Sequence, residues 1–114
     1  MAVTYTTASI VADRVKYISS DLTTAKIEEN INMAENVIDT SLKYSFISTF
    51  DADKHRIIRQ ICTDLAAYYC IIYDPGEFPS METAELTANL LWNSAMDSLE
   101  KLKDPRQVRY LKSL

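Results

Sequence analysis

Apolar residues recur along this chain at intervals of three and four, broken in a few places by short runs rich in Ser, Thr, Asp and Pro. That is the pattern of amphipathic helices joined by polar connections. Val11, Val15, Ile18 and Leu22 follow Thr6 and Thr7, with Asp13, Arg14 and Lys16 between them; the spacing predicts a short helix over roughly residues 8–18 with a threonine N-cap. Ser19-Ser20-Asp21 breaks it, and Thr23 or Thr24 caps a longer helix. There Ile27, Ile31, Ala34, Ile38 and Leu42 form one stripe, while Glu28, Glu29, Asn32, Glu35 and Asp39 lie mostly off it. From Lys43 to Phe50 the helical period fails. Tyr44, Phe46, Ile47 and Phe50 alternate loosely with Ser45, Ser48 and Thr49, a composition suited to an extended segment or a short hairpin arm.

Asp51 stands as an N-cap, with Asp53 in the first turn of a third helix. Ile57, Ile58, Ile61, Cys62, Leu65, Ala66, Tyr69 and Ile72 keep its period unbroken, so it is read as helix although YYCIIY alone favours a strand. Apolar on most sides near its end, it is expected to form the buried centre of a bundle. Asp74-Pro75-Gly76 stops it, and the glycine stands where a turn needs one. Ser80 caps a fourth helix striped by Ala84, Ala88, Leu91, Ala95, Leu99 and Leu102, and Asp104-Pro105 ends that. The last residues, RQVRYLKSL, are too short to fold alone and too apolar to serve as a solubilising tail. The expected fold is all-α: a small four-helix bundle over residues 1–104, an extended aromatic arm between helices two and three, and a basic C-terminal docking tail over residues 105–114.

Composition narrows the function. One glycine in 114 residues, where average usage supplies about 8, argues against turn-dense β-sandwiches and against phosphate-cradling or dinucleotide-binding loops. The net charge of −4 is unevenly spread: residues 1–100 carry −8, and residues 101–114 carry +4 through Lys101, Lys103, Arg106, Arg109 and Lys112 against Asp104. An acidic body with a basic tail suits a tail that docks onto something acidic. Such cations also suit the negative end of a helix.

No catalytic, cofactor or metal site is expected. His55, the only histidine, is about 10 Å along a helix from Cys62 and is read as a solvated side chain beside Lys54 and Arg56. Two Cys and one His have no zinc-ligand spacing. Cys62 and Cys70, about 12 Å apart on one helix, read as reduced core residues. The pairs Glu82/Glu85 and Asp97/Glu100 read as solvated helix faces. Lys54, Arg56 and Arg59 sit at the wrong end of a helix for its dipole, and surface pairing with Asp51 and Asp53 is weighed there against contact with phosphates or an acidic partner. The longest apolar run, Leu65–Tyr73, is about half of a membrane span. No signal peptide is expected, nor any membrane partner. Two surfaces remain as candidates for meeting a partner: the arm, through Tyr44, Phe46 and Phe50, and the tail, through Arg106, Arg109, Tyr110, Leu111 and Leu114.

The order of elements resembles a known family. A short helix after a Thr-rich start (TTASIVADRV) precedes an acidic amphipathic helix (KIEENINMAENVIDTSL) and an aromatic segment; then come a helix with DLAAYYCIIYD, a Pro-bearing turn and a last helix, LLWNSAMDSLEKLKD. Over roughly residues 5–104 this is similar to the head-to-tail connector proteins of tailed bacteriophages, also called adaptor or head-completion proteins. One departure is that Lys43–Phe50 lacks the Gly and Pro often found there in the family. The resemblance implies a non-enzymatic virion protein made in the bacterial cytoplasm. It would form a homo-oligomeric ring, typically dodecameric, between portal and tail or stopper protein, with DNA passing through its lumen without sequence-specific binding. An acidic body is consistent with a lumen that repels phosphate. The competing reading from the residues is a small cytoplasmic helical regulator or partner-binding module with a basic tail.

Overall fold

Five α-helices carry the fold in the computed structural model, which describes residues 2–15, 21–76 and 78–114: α1 (Ala8–Arg14), α2 (Thr24–Leu42), α3 (Arg56–Tyr73), α4 (Met81–Leu102) and α5 (Pro105–Ser113). No strand occurs among the described residues. Three hydroxyl caps start helices where the pattern expects them. The Thr7, Thr23 and Ser80 side chains accept from the backbone N–H of Ile10, Lys26 and Thr83, each satisfying a donor with no partner inside its helix. α1 stops sooner than its apolar period suggests, because Val15 is extended and turns its side chain into the core. The expected Ile18 contact and the Ser19-Ser20 break lie outside the described residues.

α3 is the centre, packed against α1, α2 and α4, and every residue from Ile61 to Ala67 is buried. Ala84, Ala88 and Ala95 lie on the buried face of α4, where their small side chains allow close approach. Fully buried Ile31, Ile38, Ile58, Ile61, Leu65 and Leu99 each contribute about 1.5–3 kcal/mol by leaving water.

The N-terminal segment, which has no helical period, is tied across this core. Glu35, expected on the polar face of α2, is instead buried, and its Oε2 accepts the backbone N–H of Thr4 at 2.7 Å and of Tyr5 at 2.8 Å. Tyr5 is fully enclosed; its hydroxyl donates to Asp39 Oδ1 at 2.6 Å and accepts the Phe46 N–H at 2.8 Å. Burial, and then the bond to Asp39, push the Tyr5 phenol well above its ordinary range. Arg59 Nε donates to the Tyr5 carbonyl, and Thr6 Oγ1 bonds to Thr63 Oγ1. On the other side of α3, buried Asp64 accepts from Arg14 Nε at 2.8 Å and from the Ser94 hydroxyl at 3.0 Å. Among the described residues each buried polar side chain is satisfied, as a packed interior requires.

The connection after α2 is a set of turns folded onto the core rather than an extended arm. Lys43 closes α2 in the left-handed region (φ 55°), with its N–H on Thr40 O and the Tyr44 N–H on Asp39 O. This is the six-to-one and five-to-two pairing that normally employs glycine. The one glycine, Gly76, has no positive φ and donates its N–H to Asp74 Oδ1; the left-handed position falls to a lysine. Replacing Lys43 with glycine is therefore expected to raise stability by about 0.5–1 kcal/mol, read from the urea midpoint at unchanged slope.

Asp51 does not cap α3. Its Oδ1 accepts from Asp53 and Lys54 N–H, its carbonyl accepts the His55 N–H, and a single turn forms before the helix proper. Those backbone donors hold the Asp51 carboxyl below the usual carboxylate range. His55 then breaks the helical path (φ −108°, ψ 42°), and α3 starts at Arg56.

Candidate functional site

The C-terminal ten residues fold as a helix, although they are too short to do so alone. Asp104 caps α5 by accepting the Arg106 N–H at 2.9 Å, and Pro105 occupies the first turn, where a missing N–H costs nothing. The Arg106 side chain and its backbone N–H hold the Asp104 carboxyl below its ordinary range, and the same contact raises the guanidinium. Val108 and Leu111 turn inward and are buried.

His55 fastens this helix to the body, and here the expectation of a solvated histidine is overturned. The ring is 3% exposed. Its Nδ1 accepts the Asp51 N–H at 3.1 Å, which leaves Nε2 protonated to donate to the Leu111 carbonyl at 2.9 Å. Phe46 and Phe50 flank it, with ring centroids 5.2 Å and 5.9 Å away.

The sequence-derived docking residues therefore divide between faces. Leu111 and Phe46 belong to the core, which corrects their assignment to docking surfaces, and half-buried Phe50 leans on the enclosed Tyr5 ring. Arg106, Tyr110 and Leu114 are exposed, Tyr110 by 60%. Arg109 borders a cleft of about 500 Å³ between the ends of α2 and α4 and the body of α5.

That cleft brings one arm residue and one tail residue together. Tyr44 and Arg109 both line it, with Leu42 and Val108 as apolar lining and Lys43, Lys103 and Lys112 as further cations; no Asp or Glu lines it. Lys112 Nζ lies 3.9 Å from the centre of the Tyr44 ring, and Lys103 reaches Glu100 at 3.1 Å. Neither Lys43 nor Arg109 has an ion pair among the described residues. Lys43, Arg109 and Lys112 therefore give the rim of this apolar-floored cleft a positive potential, with Lys103 compensated by Glu100. Lys43 is the residue that sequence reasoning missed, because its distance from the tail disappears only when the C-terminal end of α2 and the turn after it come to lie across a cleft from α5.

A second surface is apolar. The Tyr68 ring meets Tyr69 edge-on at 5.5 Å and Trp92 at a tilt at 5.0 Å, while Ile72, Tyr73 and Met81 are exposed at the end of α3 and start of α4. Burial raises the Tyr69 phenol.

The remaining chemistry is structural. Arg56 Nε donates to the Asp53 carbonyl and Arg59 to the Tyr5 carbonyl, so these cations are engaged by backbone rather than by the carboxylates of Asp51 and Asp53. Glu82, Glu85, Asp97 and Glu100 are exposed. Cys62 and Cys70 are free and buried, and burial pushes both thiols up. Among the described residues no group of three His, Cys, Asp or Glu is placed to hold a metal ion, and no helix is long and apolar enough to cross a membrane. Comparison with protein-family models, with curated proteins and with solved structures finds no match to this chain.

Proposed function

We propose that this chain is a structural subunit of a tailed-phage head-to-tail connector, assembling as a ring between portal and tail and extending the DNA channel. The observation that carries the reading is the order and spacing of its helices, from TTASIVADRV to LLWNSAMDSLEKLKD. On this reading α1–α4 form the bundle, residues 43–50 are the family's arm folded down onto it, and α5 is the docking element. The acidic body suits a lumen through which DNA slides, and the cationic cleft suits an acidic protein partner. The alternative, a helical partner-binding module outside any virion, draws on that same cleft.

Mixing the chain with the portal protein of the same virus and viewing the product by negative-stain microscopy separates the two. The connector reading expects rings seated on the portal; a chain that stays monomeric beside intact portal overturns it. Deleting residues 105–114 is a poor test, because Val108 and Leu111 belong to the core. A better variant is Tyr110→Ala combined with Arg106→Gln, two exposed positions at which the change removes an aromatic ring and a charge without setting a carboxylate against the Asp104 cap. Docking to the portal is expected to weaken by roughly tenfold to a hundredfold, measured by interferometry on immobilised portal.

A further inference from the structure

The cationic cleft has a complement on the same chain, at the opposite end of α4. Between Tyr73 and Leu86 the sequence carries Asp74, Glu77, Glu82 and Glu85 and no Lys or Arg. While Ala84, Ala88 and Leu91 face the core, three large apolar side chains at the start of α4 face solvent: Met81 is 62% exposed on one flank, and Leu86 (59%) and Leu90 (70%) share a face with exposed Glu82, next to exposed Glu85. A helix dipole accounts for carboxylates near an N-terminus. It does not account for three large apolar residues facing water beside them.

We infer that the acidic, apolar start of α4 in one copy of this chain seats in the cleft formed by Lys43, Lys103, Arg109 and Lys112 of the next copy. The chemistry matches on both counts. Glu82, with Glu85 beside it, meets the cations of the rim, of which Lys43 and Arg109 have no ion pair among the described residues, and Leu86 and Leu90, one and two turns along the face of Glu82, meet Leu42, Val108 and the Tyr44 ring. A chain cannot make this contact with itself. The cleft adjoins the C-terminal end of α4 at Lys103, and the 22 residues of the helix hold its two ends about 33 Å apart. The contact is consequently heterologous: each copy offers one donor surface and one acceptor surface, and successive copies add head to tail until a rotation closes them into a ring. The inference rests on the connector reading only for that closure; the pairwise contact follows from the two surfaces. Nucleic acid is a poorer occupant of the cleft, since a body carrying −8 over residues 1–100 repels it.

Two charge-reversed variants test the contact. One carries Arg109→Glu and Lys112→Glu; the other carries Glu82→Lys and Glu85→Lys. All four residues are exposed, and circular dichroism checks that each variant is folded. Sedimentation velocity is expected to show wild-type chain self-associating at low ionic strength and dissociating in about 0.5 M salt, as screening removes the attraction. Each variant alone is expected to associate at least roughly tenfold more weakly. An equimolar mixture is expected to associate again, because the carboxylates introduced at positions 109 and 112 pair with the ammonium groups introduced at positions 82 and 85, and the second variant's native cleft receives the first's native helix. Wild-type chain that stays monomeric at low salt overturns the contact, as does undiminished association of either variant or a mixture that does not recover. Adding portal distinguishes the two claims. If both variants still form wild-type rings on portal, this contact is wrong and the ring reading survives; if wild-type chain forms no ring there, the ring reading fails by itself.

Discussion

Replacing Glu35 with alanine is expected to destabilise the protein by about 3–5 kcal/mol, a large part of the 5–15 kcal/mol typical of a domain. The carboxylate accepts from two adjacent backbone donors, the N–H groups of Thr4 and Tyr5, at 2.7 Å and 2.8 Å. Without it those donors sit beside an enclosed Tyr5 ring with nowhere to bond, and the segment that covers α2 and α3 loses its anchor. Glu35→Gln keeps an acceptor oxygen in place but exchanges charge-assisted bonds for neutral ones, so about 1–2 kcal/mol is expected. Tyr5→Phe probes the next link. It leaves the Phe46 N–H without its partner and Asp39 without its 2.6 Å donor, at about 1–3 kcal/mol. Urea unfolding followed by circular dichroism measures all three. A Glu35→Ala protein within 1 kcal/mol of wild type, allowing for about that much measurement spread, contradicts the role given to this carboxylate.

His55→Ala is the second large effect, about 2–4 kcal/mol, and its signature is local as well as global. The variant opens a cavity beside Phe46 and Phe50, strands the Asp51 N–H, and leaves the Leu111 carbonyl with no donor from the body. α5 contains only nine residues and has no intrinsic stability at that length, so once unfastened it should fray before the rest. Hydrogen exchange is expected to show amides of residues 108–113 losing protection while those of Ile61–Ala67 keep theirs relative to global unfolding. His55→Gln can still donate to the Leu111 carbonyl and is expected to recover part of the loss. Equal loss of protection in both helices contradicts the fastening role.

Much of this architecture is legible in the chain because it depends on neighbours close in sequence. Thr7, Thr23 and Ser80 cap by reaching N–H groups three residues ahead, and the apolar period that fills α3 marks it as the central helix. What escapes the sequence depends on partners far along it. The Glu35 carboxylate looks solvated because its partners, some thirty residues away, are backbone amides that no pattern of side chains announces. His55 looks solvated because its acceptor is a carbonyl 56 residues away. α5 is the instructive case. Asp104-Pro105 is a sound stop for α4, yet an aspartate followed by proline is also a cap followed by a favoured first residue, and Val108 and Leu111 supply the inward face. Lys43 shows the same limit for the site: its place beside Arg109 and Lys112 comes from the way the end of α2 meets α5, and the cleft exists only once the chain is folded.

Assembly with copies of itself on a portal, the function proposed above, can be read from native mass spectrometry of the chain mixed with portal. The expected product is a portal oligomer heavier by a full ring of 13.0 kDa chains, with few partly filled species between bare and complete. A portal mass unchanged, or raised by a single chain, contradicts it.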